Sequence, residues 1–156
     1  MRLTDILQRD CIKVPLDADQ KQAAIYELAE LLADKCGIKD VQELKRAVWQ
    51  RESTRTTGIG HGVGIPHGKC ADCRKLCMAV GIAPKPIDFS AIDGKPVELI
   101  LLLASPLDQT GPHIQALKYI SMMLVDEVHR GRIKTARDAE QLYQLIEQYD
   151  AQQAGV

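Results

Sequence analysis

This sequence lacks an excess of charge of either sign, long apolar runs and an even set of cysteines. Its 20 Lys and Arg residues against 21 Asp and Glu give a net charge of −1, and no basic run stands out. Nothing electrostatic therefore points to nucleic acid or a membrane surface. The longest uninterrupted apolar run, Leu99 to Ala104, is far shorter than the ~20 residues needed to cross a bilayer. The opening Met1-Arg2-Leu3-Thr4-Asp5 has no apolar core of a secretory signal, so a cytoplasmic location without membrane insertion is expected. An odd count of five cysteines argues against a disulfide framework. There is no internal repeat, low-complexity tract or linker. What remains is a chain of 156 residues, 46% hydrophobic and 26% charged, long enough for one domain with a real core. That domain is expected over residues 1–151, with residues 152–156 fraying.

The stretch around which the chain is organised runs from Thr57 to Gly68, with glycine at 58, 60, 62, 64 and 68. Glycine tolerates positive φ and removes side-chain bulk, so such a loop can turn tightly and expose its amides. Ile59, Val63 and Ile65 alternate with small residues, which predicts a short half-buried strand. Pro66 cannot donate to a ladder and should stop it, leaving His67 at a strand end, open to a partner. No Gly-Lys-Ser/Thr follows the glycines, and they do not open a helix after a strand. Phosphate-loop and dinucleotide readings are therefore excluded, and no cofactor is expected.

Cys70, Cys73 and Cys77 follow as C-x2-C-x3-C. With His67 they invite a metal reading, but a structural zinc site takes its four ligands from two paired knuckles, and no second pair exists. Cys77 also falls in the apolar run Leu76–Val80, where a small buried hydrophobe fits. Free thiols are expected; a cysteine-based metal or redox-sensing module is the competing class.

Patterning predicts a short helix over Leu3–Gln8 with Thr4 as its cap, then a brief strand at Ile12–Val14 ended by Pro15. Asp17 or Asp19 should cap a helix from Gln20 to Cys36, closed by Gly37. Asp40 should start a second helix, bringing Arg51 and Glu52 off its end just before the glycines. Strands are expected at Lys75–Pro84 and Val97–Ala104, the second apolar enough to be central and covered on both faces. Pro84-Lys85-Pro86 should form a rigid connection, and Asp93-Gly94 a turn. A helix should begin near His113. A last one, capped by Thr135 or Asp138, carries Leu142, Leu145, Ile146 and Tyr149. The predicted fold is α/β, a mixed sheet layered by helices.

Arg51-Glu52, Thr57-Gly58-Ile59-Gly60, Ile65-Pro66-His67-Gly68, Val80–Pro84, Pro86–Phe89, Asp93–Val97, Leu101–Ala104 and His113 stand in an order and spacing that resembles the type 2 EIIA domains of the bacterial phosphotransferase system. That family includes the fructose and mannitol EIIA domains and the nitrogen-regulatory EIIA proteins. The resemblance spans nearly the whole chain. Gly64 departs from it, standing where the family usually has alanine.

The resemblance implies a phosphotransferase that carries phosphate on histidine. His67 matches the family's phosphorylated histidine, His113 its partner histidine, and Arg51 the arginine that holds the phosphoryl group. It implies phosphate from an HPr-like carrier, passed to an EIIB cysteine or used to switch binding to regulatory targets. No EIIB or membrane EIIC sequence is fused in the chain given, which favours the regulator. Taken without the resemblance, His113 reads as a helix-start or surface residue, and Arg51 as a solvated helix charge. His61 is set aside as a variable polar position, and His129 as a charge offsetting the negative end of a helix.

Overall fold

A computed structural model describes residues 1–154. A six-stranded mixed sheet has the order β1(Leu7–Lys13), β5(Cys77–Ile87), β6(Val97–Ser105), β3(Val63–Gly64), β2(Gly58–Gly60), with β4(His67–Lys69) also on β6. β5 and β6 form the long antiparallel centre, from Cys77↔Ala104 to Ile87↔Val97, and β1 lies parallel to β5. From Leu99 to Ser105 every β6 residue is buried. As its continuous apolar pattern requires, this strand is covered on both faces.

The helices fall into two groups. α1(Lys21–Cys36) and α2(Val41–Thr54) pack on each other, α1 against β5 and α2 against β4. α3(Thr110–Val125), α4(Glu127–Lys134) and α5(Ala139–Ala154) pack in series, with α5 against β1. Local signals set several ends. Gly37 adopts φ 73° to close α1, and Asp40 caps α2 by accepting from Glu43 N at 3.0 Å. Asp138 does the same for α5, accepting from Gln141 N at 2.8 Å.

Elsewhere long-range pairing overrides local pattern. Only Leu3–Asp5 forms a helical turn, of 3-10 type, and Leu7–Lys13 is strand. Leu7 and Ile12 are held opposite Met78 and Val80, with the exposed Gln8-Arg9-Asp10 bulging between them. Thr4 is not the cap of that first turn. Its N-cap is Arg2, and Asp150 of α5 accepts from Leu3 N, Thr4 N and Thr4 Oγ1 at 3.0, 2.9 and 2.7 Å. Neither Asp17 nor Asp19 caps α1; its N-cap is Gln20, with no side-chain bond. β5 runs past Pro84 and Pro86 to Ile87 because its register with β6 shifts between Ile82 and Ile87, and an irregularity tolerates proline where a regular ladder does not. α3 starts three residues before His113, with Pro112 in its first turn. The helix α5 continues through Ala154, and residues 155 and 156 of the expected tail lie outside the described residues.

A candidate phosphohistidine site at the start of β4

The glycine-rich stretch is two short strands, not one. β2 and β3 pair antiparallel around a turn at His61-Gly62, with φ of 60° and 77°. Both positions need the left-handed region, which is why glycines flank the histidine. The turn is tied to other parts of the fold: Lys134 Nζ donates to His61 O at 2.8 Å, and His61 N donates to Asp93. The amides of Thr57 and Gly58 are also used, on Glu52 and Thr56. These three amides are therefore not free to hold an anion.

Past the turn, β3 pairs with Leu99 and Ile100, and β4 pairs with Leu103, Ala104 and Ser105, both parallel to β6. Pro66 interrupts this edge, and its carbonyl accepts from Leu103 N at 3.0 Å. His67 thus opens a strand where the sequence pattern placed it at the end of one. Gly68, next to it, lies against α2. A Cβ there would sit 3.0 Å from both Val48 N and Val48 Cγ2. Only glycine lets the helix come this close, and Arg51 is carried one turn further along that helix.

His67 Nδ1–H donates to the Ile65 carbonyl at 2.9 Å. This fixes the tautomer and leaves the Nε2 lone pair free. His67 is half-buried and lines a cleft, whereas His113 is buried behind it. The His113 ring stands edge-on to that of His67, with centroids 5.2 Å apart and planes at 65°. Its Nδ1 lies 2.7 Å from Ser105 Oγ, a buried bond between α3 and the end of β6. Burial pushes His67 below its ordinary 6.5, with Arg51 acting the same way and the Ile65 carbonyl and Glu52 opposing. Burial, then the neighbouring His67 and Lys69, push His113 down to about 4. Both imidazoles are neutral at pH 7.

Arg51 lines a cleft of about 290 Å³ together with His67, Arg55, Ile65, Ile92 and Leu117. Its Nη1 donates to the Arg55 carbonyl at 2.9 Å. Three further residues carry the geometry without having been singled out from sequence. Ser105 orients His113. Arg55 places a second guanidinium on the cleft. Buried Glu52 accepts from Thr57 N at 2.7 Å and pairs with Lys21 Nζ at 3.1 Å, fixing the chain as it leaves α2. An Arg-x3-Arg step across a helix end was the one readable signal for Arg55.

The remaining sequence candidates lie elsewhere. His129 sits in the first turn of α4, at its N-terminal and not its negative end; it is buried against the Tyr149 ring, 5.2 Å away, and burial keeps it neutral. The expected charge offset is thus corrected: a neutral ring near a helix N-terminus offsets nothing. Cys70, Cys73 and Cys77 are buried thiols, and among the described residues no three His, Cys, Asp or Glu side chains converge as metal ligands would.

The sheet and its flanking helices thus bring His67 and His113 together beside a cleft lined by Arg51 and Arg55. Residues 5–149 match the family described as phosphoenolpyruvate-dependent sugar phosphotransferase system, EIIA 2, and the chain belongs to that family. It is 33% identical over 146 residues to a nitrogen regulatory protein of Bradyrhizobium diazoefficiens, covering 94% of this chain and 95% of that one. It is 32% identical over 151 residues to the fructose-specific EIIABC component of Bacillus subtilis, covering 96% of this chain and 24% of that much longer protein. Among solved structures, the nitrogen regulatory protein IIA-Ntr of Neisseria meningitidis superposes with a TM-score of 0.82 at 29% identity, covering 91% of this chain and 97% of that one. No helix among the described residues is long and apolar enough to cross a membrane.

Proposed function

We propose that the protein is a phosphohistidine carrier of the nitrogen-regulatory kind, accepting a phosphoryl group on Nε2 of His67 from an HPr-like protein. The observation that carries this is the His67 Nδ1–H bond to the Ile65 carbonyl, which aims an unprotonated Nε2 outward beside His113. In the transfer the Nε2 lone pair forms the new N–P bond while the bond from phosphorus to the donor's imidazole breaks, and the donor ring keeps that electron pair. Such a step asks for in-line positioning and for positive or donor groups at the three phosphoryl oxygens. Arg51 supplies guanidinium donors across the cleft. His113 supplies Nε2–H when Ser105 donates to its Nδ1. The phosphorylation state then switches binding to regulatory target proteins. The regulatory version is supported by the nitrogen regulatory protein that this chain matches over nearly its full length.

A second reading is favoured by the fructose-specific relative, in which a matching segment is part of a longer EIIABC protein. There the phosphoryl group would pass from His67 to a cysteine of an EIIB partner. Incubation with labelled phosphoenolpyruvate, enzyme I and HPr tests the carrier role: wild type should gain acid-labile phosphate and His67→Ala none. Label on His67→Ala would refute the assignment. Chase of the labelled protein with a fructose- or mannitol-type EIIB then separates the two versions, since rapid discharge supports the transporter.

A further inference from the structure

Two hollows lie side by side at the turn between β2 and β3, and they differ in chemistry. The first, of about 290 Å³, has an apolar wall of Ile59, Val63, Leu124 and Val125. The second, of about 300 Å³, is lined by Lys95, Arg130 and Lys134, with Glu98 as the one carboxylate in its lining. His61 and Arg130 line both, so the hollows adjoin at these two side chains. The first also shares Ile59 and Ser121 with the cleft at His67.

Two of the three cations are anchored by backbone carbonyls. Lys134 Nζ donates to the His61 carbonyl at 2.8 Å and pairs with Glu98 at 3.6 Å. A Cβ at Gly62 would stand 2.7 Å from that Nζ, so glycine makes room for the lysine at the turn. Arg130 Nη1 donates to the Leu124 carbonyl at 2.9 Å, which leaves the other N–H groups of its fork for a ligand. Neither Arg130 nor Lys95 is ion-paired among the described residues. Asp93 is close by, but its carboxylate accepts from the amides of His61 and Lys95. His61 itself holds a left-handed φ of 60°, uncommon for a residue with a side chain, at the point where the hollows meet.

We propose that the paired hollows bind a phosphate monoester with an apolar body, its head group on Arg130, Lys95 and Lys134. Once Glu98 offsets Lys134, two positive charges remain in the lining, which calls for a dianion. Both surround one small hollow, and a phosphate monoester carries close to two negative charges on a single group at neutral pH. A dicarboxylate would spread the same charge over two separate groups. The open N–H groups of Arg130 match phosphate oxygens in geometry, while Lys95 and Lys134 act as point charges. The body of the ester then covers the apolar wall, where Ile59 and Val125 are exposed. Such a ligand stands beside the His67 cleft, and its binding does not depend on phosphoryl transfer there.

The test is titration of the isotope-labelled full chain with phenyl phosphate, read from amide chemical shifts, with inorganic phosphate and phenol as half-ligands. Phenyl phosphate should shift the amides of His61, Gly62, Val63 and Arg130 saturably, and bind about tenfold or more tightly than either half. Arg130→Gln should weaken it about tenfold, as the loss of a charge-assisted contact does. Lys95→Ala should weaken it about threefold. Lys95 is exposed in the loop before β6, so its variant decides the matter should Arg130→Gln fail to fold. Arg51→Ala should bind phenyl phosphate as wild type does. Absence of saturable shifts at those amides, or wild-type affinity in the folded variants of Arg130 and Lys95, overturns the proposal. So does inorganic phosphate binding as tightly as phenyl phosphate, which would leave the apolar wall without a role. Loss of binding in Arg51→Ala would place the ester in the His67 cleft and overturn it as well.

Discussion

His113 meets His67 edge-on at 5.2 Å while its far nitrogen is held by Ser105 at 2.7 Å. Three elements converge in that arrangement: the start of β4, the end of β6 and the first turns of α3. The ring that faces His67 is therefore itself held by a buried hydroxyl. A neutral imidazole bonded through one nitrogen presents the other in a defined protonation state.

Ser105→Ala should lower the rate of phosphoryl transfer to His67 by about tenfold while leaving the protein folded, because an orienting partner behind a functional histidine typically carries 10–100-fold. Ser105→Thr keeps the hydroxyl and should recover much of the loss. Rapid-quench transfer from a phosphorylated HPr-like donor measures both. Equal rates in wild type and Ser105→Ala would remove the hydroxyl from the transfer step.

Two glycines near the site leave little or no room for a methyl group. At Gly68 an added methyl meets the α2 backbone, which cannot yield locally, so Gly68→Ala should shift α2 and slow transfer as well as destabilise. At Gly64 the methyl would stand 2.8 Å from Phe89 Cε2. The alanine that the family resemblance would place there thus meets this buried ring. Gly64→Ala alone should cost about 1–3 kcal/mol from overpacking. Much of that should return in Gly64→Ala/Phe89→Leu, a coupling that urea unfolding of the four proteins would measure. Additive losses would show that the ring is not the obstacle.

The parts of the fold legible from sequence are those where one dominant local signal agrees with the tertiary result. The apolar run of β6, Asp40 and Gly37 at their helix ends, and the stripe of α5 are of this kind. The end of the first strand was read at Ile12, but its beginning was taken for helix because the pairing with β5 absorbs the polar Gln8-Arg9-Asp10 in a bulge, which erases the alternation. The glycine stretch was misread as one strand because Ile59 and Val63 keep strand-like spacing across a two-residue turn. For the candidate site, His67 stood out from its own glycine and proline neighbours. His113 was linked to it only through family resemblance, since nothing in a helix start predicts which loop it will face. Ser105 had no signal at all: a serine before proline looks like a strand terminator.

Acid should act on this protein through its histidines. A group whose folded pKa lies below its unfolded value contributes stability above the unfolded value and loses it as pH falls toward the folded one. His113, lowered from 6.5 to about 4, sets a window between those two values, and His67 and His129 shift in the same direction. Unfolding free energy should therefore be level above about pH 7 and fall as pH drops from 6.5 toward 4. His113→Gln, which cannot titrate, should flatten part of that slope. An unchanged slope in the variant would show that His113 is not responsible.

Arg51 offers the sharpest separation of charge from geometry. Its Nη1 is already committed to the Arg55 carbonyl, which fixes the side chain before any phosphoryl group arrives. The remaining guanidinium donors can then meet oxygens without being reorganised, and preorganised donors at developing charge are worth about 3 kcal/mol, or roughly a hundredfold in rate. Lysine keeps the charge but has no planar fork, so it cannot hold the Arg55 carbonyl and a phosphoryl oxygen in the same fixed array. Arg51→Lys should accordingly lose nearly as much as Arg51→Ala, with thermal stability close to wild type, because this side chain is not a core residue. If long-range charge alone matters, Arg51→Lys will transfer at close to the wild-type rate. Arg55→Ala keeps its backbone carbonyl and so leaves the Arg51 tether in place. Its rate therefore reports only the second guanidinium, and a smaller loss there than in Arg51→Ala would assign the oxygen contacts chiefly to Arg51.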